Sequence, residues 1–93
     1  MRCALCKREG DDKYFEYHHF EPVATRRKTE DGIDVCNQCG DQLHLLFTNM
    51  ELRDIYNDLP SLLLNEKVKT YIRWVRDKPL ETHYVAAKKK RKK

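Results

Sequence analysis

The sequence lacks any run of about 18 consecutive apolar residues, the length that a membrane-spanning helix needs. It also lacks an apolar secretion signal, because residues 1–5 lead directly into the first cysteines. From these two absences we expect neither a membrane-spanning helix nor export. We therefore expect a soluble, intracellular protein without a membrane partner, cytoplasmic in a bacterial or phage context and nuclear in a eukaryote.

The chain is also short. The chain has 93 residues, of which 40% are hydrophobic and 37% charged, so it can bury one thin core and has nothing left for a second. Domains of this size usually need a staple such as a metal ion. We expect residues 1–79 to form the single domain and residues 80–93 to form a basic, disordered tail.

Four cysteines are arranged as two CxxC pairs, Cys3/Cys6 and Cys36/Cys39. In a chain without signs of secretion, this spacing favours metal ligation over disulfide bonds. Two tight turns can place four sulfurs about 2.3 Å from one zinc ion and complete a tetrahedron. We predict a structural Zn²⁺ site; redox pairs or plain buried thiols are the alternatives. Because zinc binding can add on the order of 10 kcal/mol to folding, the metal-free chain should be largely unfolded.

Basic charge is concentrated at the end of the chain. Six of the 19 cations form one uninterrupted run, which consists of Lys88, Lys89, Lys90, Arg91, Lys92 and Lys93. Residues 1–87 therefore carry 13 cations against 15 acidic residues, a net charge of −2. Such a run repels itself and attracts phosphate through counterion release. We interpret it as a nucleic-acid-binding arm, with nuclear targeting and a solubilising tail as alternatives.

The patterning between and after the cysteine pairs predicts a hairpin followed by a helix. Residues 13–20 are rich in aromatics and partly alternate, which indicates a strand that ends at Pro22. Residues 33–35 indicate a second strand after a polar turn. Apolar residues then recur at helical spacing, so a helix should begin near Asn37 and continue past His44.

The C-terminal third also shows helical spacing, and its apolar residues are assigned to the core. Together with those of the preceding helix, these residues are Leu43, Leu46, Phe47, Met50, Ile55, Leu59, Leu62, Leu63, Val68, Ile72 and Val75. We interpret Tyr71 and Trp74 as packing residues, with base stacking as the alternative. His83, beyond Pro79, is interpreted as a surface residue.

Histidines complete a pattern with the cysteines. His18 and His19 follow the first CxxC pair and precede Pro22, and His44 lies five residues after the second pair. In this order the motifs resemble the four-cysteine branch of the HNH endonuclease family, over roughly residues 3–76. The resemblance implies an α+β fold, a small zinc-stapled treble clef with the ββα-metal HNH core and added C-terminal helices. It further implies a metal-dependent endonuclease that hydrolyses phosphodiester bonds of double-stranded DNA.

Hydrolysis of a phosphodiester needs a base that takes a proton from water and a cation that neutralises charge on the phosphate. The resemblance implies that His19 is the general base and that His18 and His44 hold a divalent ion, Mg²⁺ or Mn²⁺. Adjacent strand residues point to opposite faces, so both histidines can reach one site only if the strand ends or bulges there. The alternative is that all three are ordinary strand or core residues.

Two positions depart from the family pattern. Gly40 stands where members commonly carry a histidine directly after the last cysteine, so one metal ligand is missing. Asp41 precedes His44 by three positions on the same helix face, and its carboxylate could replace the lost imidazole. The approach to the second CxxC pair carries acidic residues where some members have asparagine.

Three loop cations, Arg26, Arg27 and Lys28, follow the predicted base and could clamp DNA phosphates, although charged loops are more often merely solvated. The sequence has no dedicated recognition helix and no dimer seam, so specificity would come from DNA shape, the arm or a protein partner that nothing in the sequence indicates.

A catalytically inactive treble-clef adaptor that binds nucleic acid or protein is the alternative function. A redox switch that uses the CxxC pairs is a more remote one.

Overall fold

A computed structural model describes residues 1–23 and 29–82. The predicted DNA-contacting cations Arg26, Arg27 and Lys28, the basic run at residues 88–93, and His83 lie outside the described residues.

The chain begins with a knuckle and a two-stranded antiparallel sheet. The knuckle is a turn that the backbone of Arg2 and Glu9 closes by a β-bridge. The sheet consists of β1 (Phe15–His19) and β2 (Gly32–Cys36), in the hairpin arrangement that the sequence predicts.

The first strand is shorter than predicted at its N-terminal end. Residues Asp12–Tyr14 form a 3-10 turn instead of strand, because the side chain of Asp11 accepts a hydrogen bond from the backbone N–H of Lys13 at 3.0 Å. A short polar side chain that bonds to the backbone two residues on favours a turn over an extended strand. At its other end β1 stops at His19, within the predicted limit of Pro22.

Helix α1 (Asn37–Leu46) follows β2 without a loop and, as predicted, begins at Asn37 and passes His44. Cys36, the last residue of β2, is also its N-cap: Cys36 Sγ accepts a hydrogen bond from the backbone N–H of Cys39 at 3.4 Å. The helix packs against both strands. Its first turn is therefore fixed to the end of the sheet.

The C-terminal helical region consists of three short helices: α2 (Asn49–Asp54), α3 (Leu59–Leu64) and α4 (Glu66–Val75). Polar caps separate them. Thr48 and Glu51 form a reciprocal capping box at the start of α2, and the side chains of Asp58 and Asn65 accept hydrogen bonds at the starts of α3 and α4. Within the described part of the chain, no helix has the length and apolar character needed to cross a membrane.

The core joins the knuckle, the hairpin and the helices. Its buried residues are Cys3, Leu5, Cys6, Val35, Cys36, Cys39, Leu43, Phe47, Leu52, Leu62, Val68, Tyr71 and Val75. Among the other residues predicted to be core, Leu46, Leu59, Leu63 and Ile72 are partly buried against this cluster.

The assignment of Met50 and Ile55 to the core is wrong, since their side chains are 54% and 57% exposed. The helical spacing that linked Met50 to α1 is interrupted because α1 ends at Leu46, and α2 buries Leu52 instead. Trp74, predicted to be a packing residue, is 45% exposed, and the Lys78 ammonium lies 5.2 Å from its ring centroid.

Candidate metal centre

Four cysteines from three elements converge at one end of the hairpin. Cys3 and Cys6 lie in the knuckle, Cys36 ends β2, and Cys39 lies in the first turn of α1. Their sulfur atoms all lie within 4.8 Å of one another, and all four side chains are buried. The predicted clustering of the two CxxC pairs is thereby confirmed.

The spacing of the sulfurs fits a zinc ion. Cys6 Sγ and Cys36 Sγ are 3.9 Å apart, and none of the four cysteines forms a disulfide. Four sulfurs at about 2.3 Å from a tetrahedral zinc ion are separated by about 3.8 Å, whereas bonded sulfurs lie about 2.05 Å apart. The donor set and its geometry therefore match a structural Zn²⁺ site.

The two CxxC pairs repeat one local structure. The backbone N–H of Cys6 donates to Cys3 Sγ at 3.4 Å, and that of Cys39 donates to Cys36 Sγ at the same distance. After the first pair the chain reverses at Lys7, whose φ of 68° lies in the left-handed region. This conformation costs a non-glycine residue about 1 kcal/mol, so the packed knuckle must hold it in place.

The four thiols compete for protons when no cation neutralises them. Hydrogen bonding with Cys36 and Cys39 lowers the pKa of Cys3 to about 6, whereas hydrogen bonding with Cys3 raises the pKa of Cys39 far above its ordinary value. Four buried thiols at this distance cannot all ionise unless a cation is present. A divalent cation relieves that repulsion, since metal ligation requires each sulfur to be deprotonated.

Two further side chains donate hydrogen bonds to the sulfurs. The Arg8 guanidinium donates to Cys6 Sγ and to Cys36 Sγ, each at 3.2 Å, and its remaining nitrogen donates to the carbonyls of Lys78 and Pro79. Its positive charge offsets part of the −2 charge of a zinc ion with four thiolates. The sequence pattern gave no reason to choose Arg8, because a cation two residues after a CxxC pair is unremarkable.

The second donor is Tyr71, which the helical spacing placed in the core. Burial raises the pKa of its hydroxyl, which therefore stays protonated and donates to Cys39 Sγ at 3.2 Å. Since Tyr71 lies on α4, this hydrogen bond ties the C-terminal helix to the cysteine cluster. Nothing local in the sequence reports a contact across 32 positions.

The opposite end of the hairpin forms a cleft of about 150 Å³. It is lined by Glu16, Tyr17, His18, His19, Pro22, Val23 and His44. The three histidines that the sequence singled out thus lie around one cleft. His19 lies on the other face of β1 from His18, beside Tyr17, and it reaches the cleft because the strand ends there. The described residues that line the cleft do not include Asp41.

His18 is the most constrained of the three. It is 3% exposed, its ring centroid lies 5.6 Å from that of His44, and its Nε2 has no hydrogen-bond partner among the described residues. Burial, followed by the charges of His44 and His19, lowers the pKa of His18 to about 4. A buried polar atom without a partner costs about 1–3 kcal/mol, and the lowered pKa keeps the imidazole neutral, so its Nε2 is suited to contact a bound ligand rather than to take up a proton.

The histidines do not form a tight cluster like that of the cysteines. Across residues 1–23 and 29–82, one group of three or more possible metal ligands has all its ligand atoms within 4.8 Å of one another. That group consists of the four cysteines. An ion at the histidines would therefore need ligand movement or bridging water.

Glu16 is a cleft residue that the sequence analysis missed. A Cβ atom at Gly40 would lie only 2.6 Å from Glu16 Cδ, so the glutamate side chain occupies the space that any larger residue at position 40 would need. Glu16 precedes His18 by two positions and so shares its face of β1. The two-residue spacing between Glu16 and His18 in a predicted strand was the sequence feature that could have placed Glu16 beside His18.

The chain is similar to the uncharacterized protein YisB of Bacillus subtilis strain 168, with 29% identity over 79 residues that cover 85% of this chain and 77% of YisB. No protein-family model matches, and no solved structure matches. Since the name of YisB states no activity, function has to be inferred from the site itself.

Removal of the metal should unfold the protein. The zinc contribution, on the order of 10 kcal/mol, is comparable to the whole stability of a small domain. We expect one zinc per chain by elemental analysis. A strong chelator should abolish the helical circular dichroism signal of the folded protein, and added zinc should restore it. Cys39→Ser should show the same loss without chelator. A stripped protein that keeps its native spectrum would contradict the assignment.

Arg8→Ala should weaken zinc binding about 10-fold or more, because two thiolates lose their charged donor. Competition against a chromophoric chelator measures this. Arg2→Ala is the matched control: Arg2 lies in the same knuckle, pairs only loosely with Glu9 at 3.7 Å, and is 63% exposed. Equal zinc affinity in the two variants would show that Arg8 does not support the cluster.

His18 should make the fold acid-sensitive. Its folded pKa of about 4 lies below the ordinary value of 6.5, so the unfolded chain binds more protons between these values and stability falls as the pH drops. For the zinc-loaded protein, urea unfolding should show a loss of about 2 kcal/mol from this group between pH 7 and pH 5. His18→Asn should remove that part of the loss. An unchanged pH dependence in the variant would refute the buried neutral imidazole.

Proposed function

We propose that this protein is a metal-dependent DNA endonuclease of the HNH type, which hydrolyses phosphodiester bonds of double-stranded DNA and nicks one strand at a time. The observation that carries the proposal is the meeting of His18, His19 and His44 around one cleft, with His18 Nε2 buried and without a hydrogen-bond partner in the described part of the chain. Such a group of convergent titratable residues with a shifted pKa is typical of an active site.

The frame around the cleft supports the same proposal. Two antiparallel strands lead directly into a helix, and the cysteines hold the strand end, the helix start and the knuckle together. This order of elements is the one expected of a treble clef with a ββα-metal core. The histidines lie on β1 and α1, so the elements that the cysteines join also carry the proposed chemistry.

In this proposal His19 acts as the general base. It lies at the end of β1, is partly exposed to the cleft, and packs edge-on against Tyr17 with ring centroids 5.1 Å apart, which restricts its orientation. From there it can take a proton from a water molecule that attacks the phosphorus atom.

His18 and His44 would hold the divalent ion, Mg²⁺ or Mn²⁺, from opposite walls of the cleft. When bound, that ion would neutralise the charge that develops on the phosphate. His18 is suited to ligation because its lowered pKa keeps the imidazole neutral at physiological pH. Arg26, Arg27, Lys28 and the basic run at residues 88–93 would position the DNA backbone.

An inactive zinc-stapled adaptor that binds nucleic acid is the second candidate. Gly40 favours it, because glycine offers no ligand where the related enzymes commonly carry a histidine. The wide spacing of the ligand atoms in the cleft favours it as well. Both candidates predict DNA binding, and only the first predicts strand cleavage.

A nicking assay separates the two functions. Purified zinc-loaded protein with Mg²⁺ or Mn²⁺ should convert supercoiled plasmid to the nicked circle, and His19→Ala should slow this by about 10²–10⁴-fold, as expected for loss of a general base. His83→Ala is the matched control, since it makes the same change at a histidine outside the motif. Zinc content should be equal in all three proteins.

Two outcomes would contradict the nuclease. If the wild-type protein retards DNA in a gel but nicks it with no divalent ion, the adaptor is correct. If His19→Ala nicks as fast as the wild-type protein, His19 is not the base and the observed cleavage does not come from this cleft.

A further inference from the structure

We propose that Glu16, rather than Asp41, supplies the carboxylate ligand for the divalent ion in the histidine cleft, in place of the histidine that the HNH pattern has at position 40. This inference deepens the proposed function and rests on it for the presence of a second metal site. It concerns a different ion from the one held by the cysteines.

The first support is the contact between Glu16 and Gly40. A Cβ at position 40 would lie 2.6 Å from Glu16 Cδ, closer than real Cβ atoms approach, and 3.3 Å from its Cγ, which is a tight contact. Gly40 is buried on α1, so the missing side chain leaves a space, and the glutamate from β1 fills it. A carboxylate from the strand thus lies next to the helix position that offers no ligand of its own.

The second support is the position of Glu16 relative to the histidines. Glu16 and His18 are two residues apart on β1 and line the cleft together with His44 on α1. His18 is 97% buried, and its Nε2, without a partner among the described residues, is the kind of atom that a bound ion satisfies. The carboxylate and this unpartnered nitrogen therefore belong to residues of the same cleft.

The third support is the chemistry of the donor set. Two neutral imidazoles bring no negative charge to a divalent ion, whereas a carboxylate brings one and suits hard ions such as Mg²⁺ and Mn²⁺. These ions keep several water ligands, and a cleft of about 150 Å³ has room for them. Water-bridged contacts also agree with ligand atoms that are spread more widely than those of the cysteines.

Asp41 fits this role less well. It follows Gly40 on α1 and is therefore turned by about 100° around the helix from the position that Glu16 contacts. The described residues around the cleft include Glu16 and omit Asp41.

Manganese binding tests the inference without relying on activity. The signal of free Mn²⁺ in solution, followed by electron paramagnetic resonance while zinc-loaded protein is added, gives the affinity. We expect Glu16→Gln to weaken Mn²⁺ binding about 10-fold or more. Glu66→Gln, an equal change at an exposed residue of α4, should leave it unaltered, and Asp41→Asn should change it much less than Glu16→Gln does.

Gly40→Ala is a second and independent variant. Its added methyl group would overlap the Glu16 side chain, which is flexible and exposed and can swing aside, so the fold should survive. We expect weaker Mn²⁺ binding with unchanged zinc content and unchanged circular dichroism. This loss should not add to that of Glu16→Gln in the double variant, because both remove the same ligand.

Several results would overturn the inference: no Mn²⁺ binding by the wild-type protein, equal affinity in Glu16→Gln, or a greater loss in Asp41→Asn. The nicking assay keeps the two proposals apart. Nicking that persists unchanged in Glu16→Gln refutes the role of Glu16 and leaves the nuclease standing. Mn²⁺ binding that depends on Glu16, in a protein that never nicks DNA, refutes the nuclease and leaves the metal site standing.

Discussion

The four buried cysteine sulfurs, gathered within 4.8 Å, are the constraint on which the rest of the molecule depends. They come from a knuckle, a strand end and a helix start, three pieces that a chain of 93 residues has too little core to hold by apolar contact alone. The hydrogen bonds of Arg8 and Tyr71 to these sulfurs extend the constraint to the C-terminal region. We therefore expect folding, metal binding and the docking of α4 to be coupled.

The hairpin transmits this constraint to the histidine cleft. In its register Phe15 pairs with Cys36 at the cysteine end, and His19 pairs with Gly32 at the other end. The strand β1 thus runs from the cysteine cluster to His19, the proposed base. Helix α1 links the two sites in the same way, since it begins at the cysteines and carries His44 near its C-terminal end. Both walls of the cleft are anchored by a site that itself takes no part in the proposed chemistry.

Local sequence patterns predict the cysteine site, the hairpin and the first helix. The residues that they do not predict make contacts between distant parts of the chain. The CxxC spacing, the aromatic strand and the start of α1 depend on neighbours within a few residues. The polar cap at Thr48 was not recognised as a helix start, which is why Met50 was wrongly placed in the core. Arg8 and Tyr71 could not be identified because their sulfur partners are fixed only by the fold. The approach of Glu16 to Gly40 is of the same kind: a missing side chain on one element is meaningful only when its neighbour is known.

The central claim is that one zinc ion bound by four thiolates organises the fold. X-ray absorption at the zinc edge of the purified protein tests this most directly, because it reports the identity, number and distance of the atoms around the metal. The account predicts a shell of four sulfur atoms at about 2.3 Å and no nitrogen or oxygen ligands. A shell with fewer sulfurs, or one completed by histidine nitrogen or water oxygen, would contradict it.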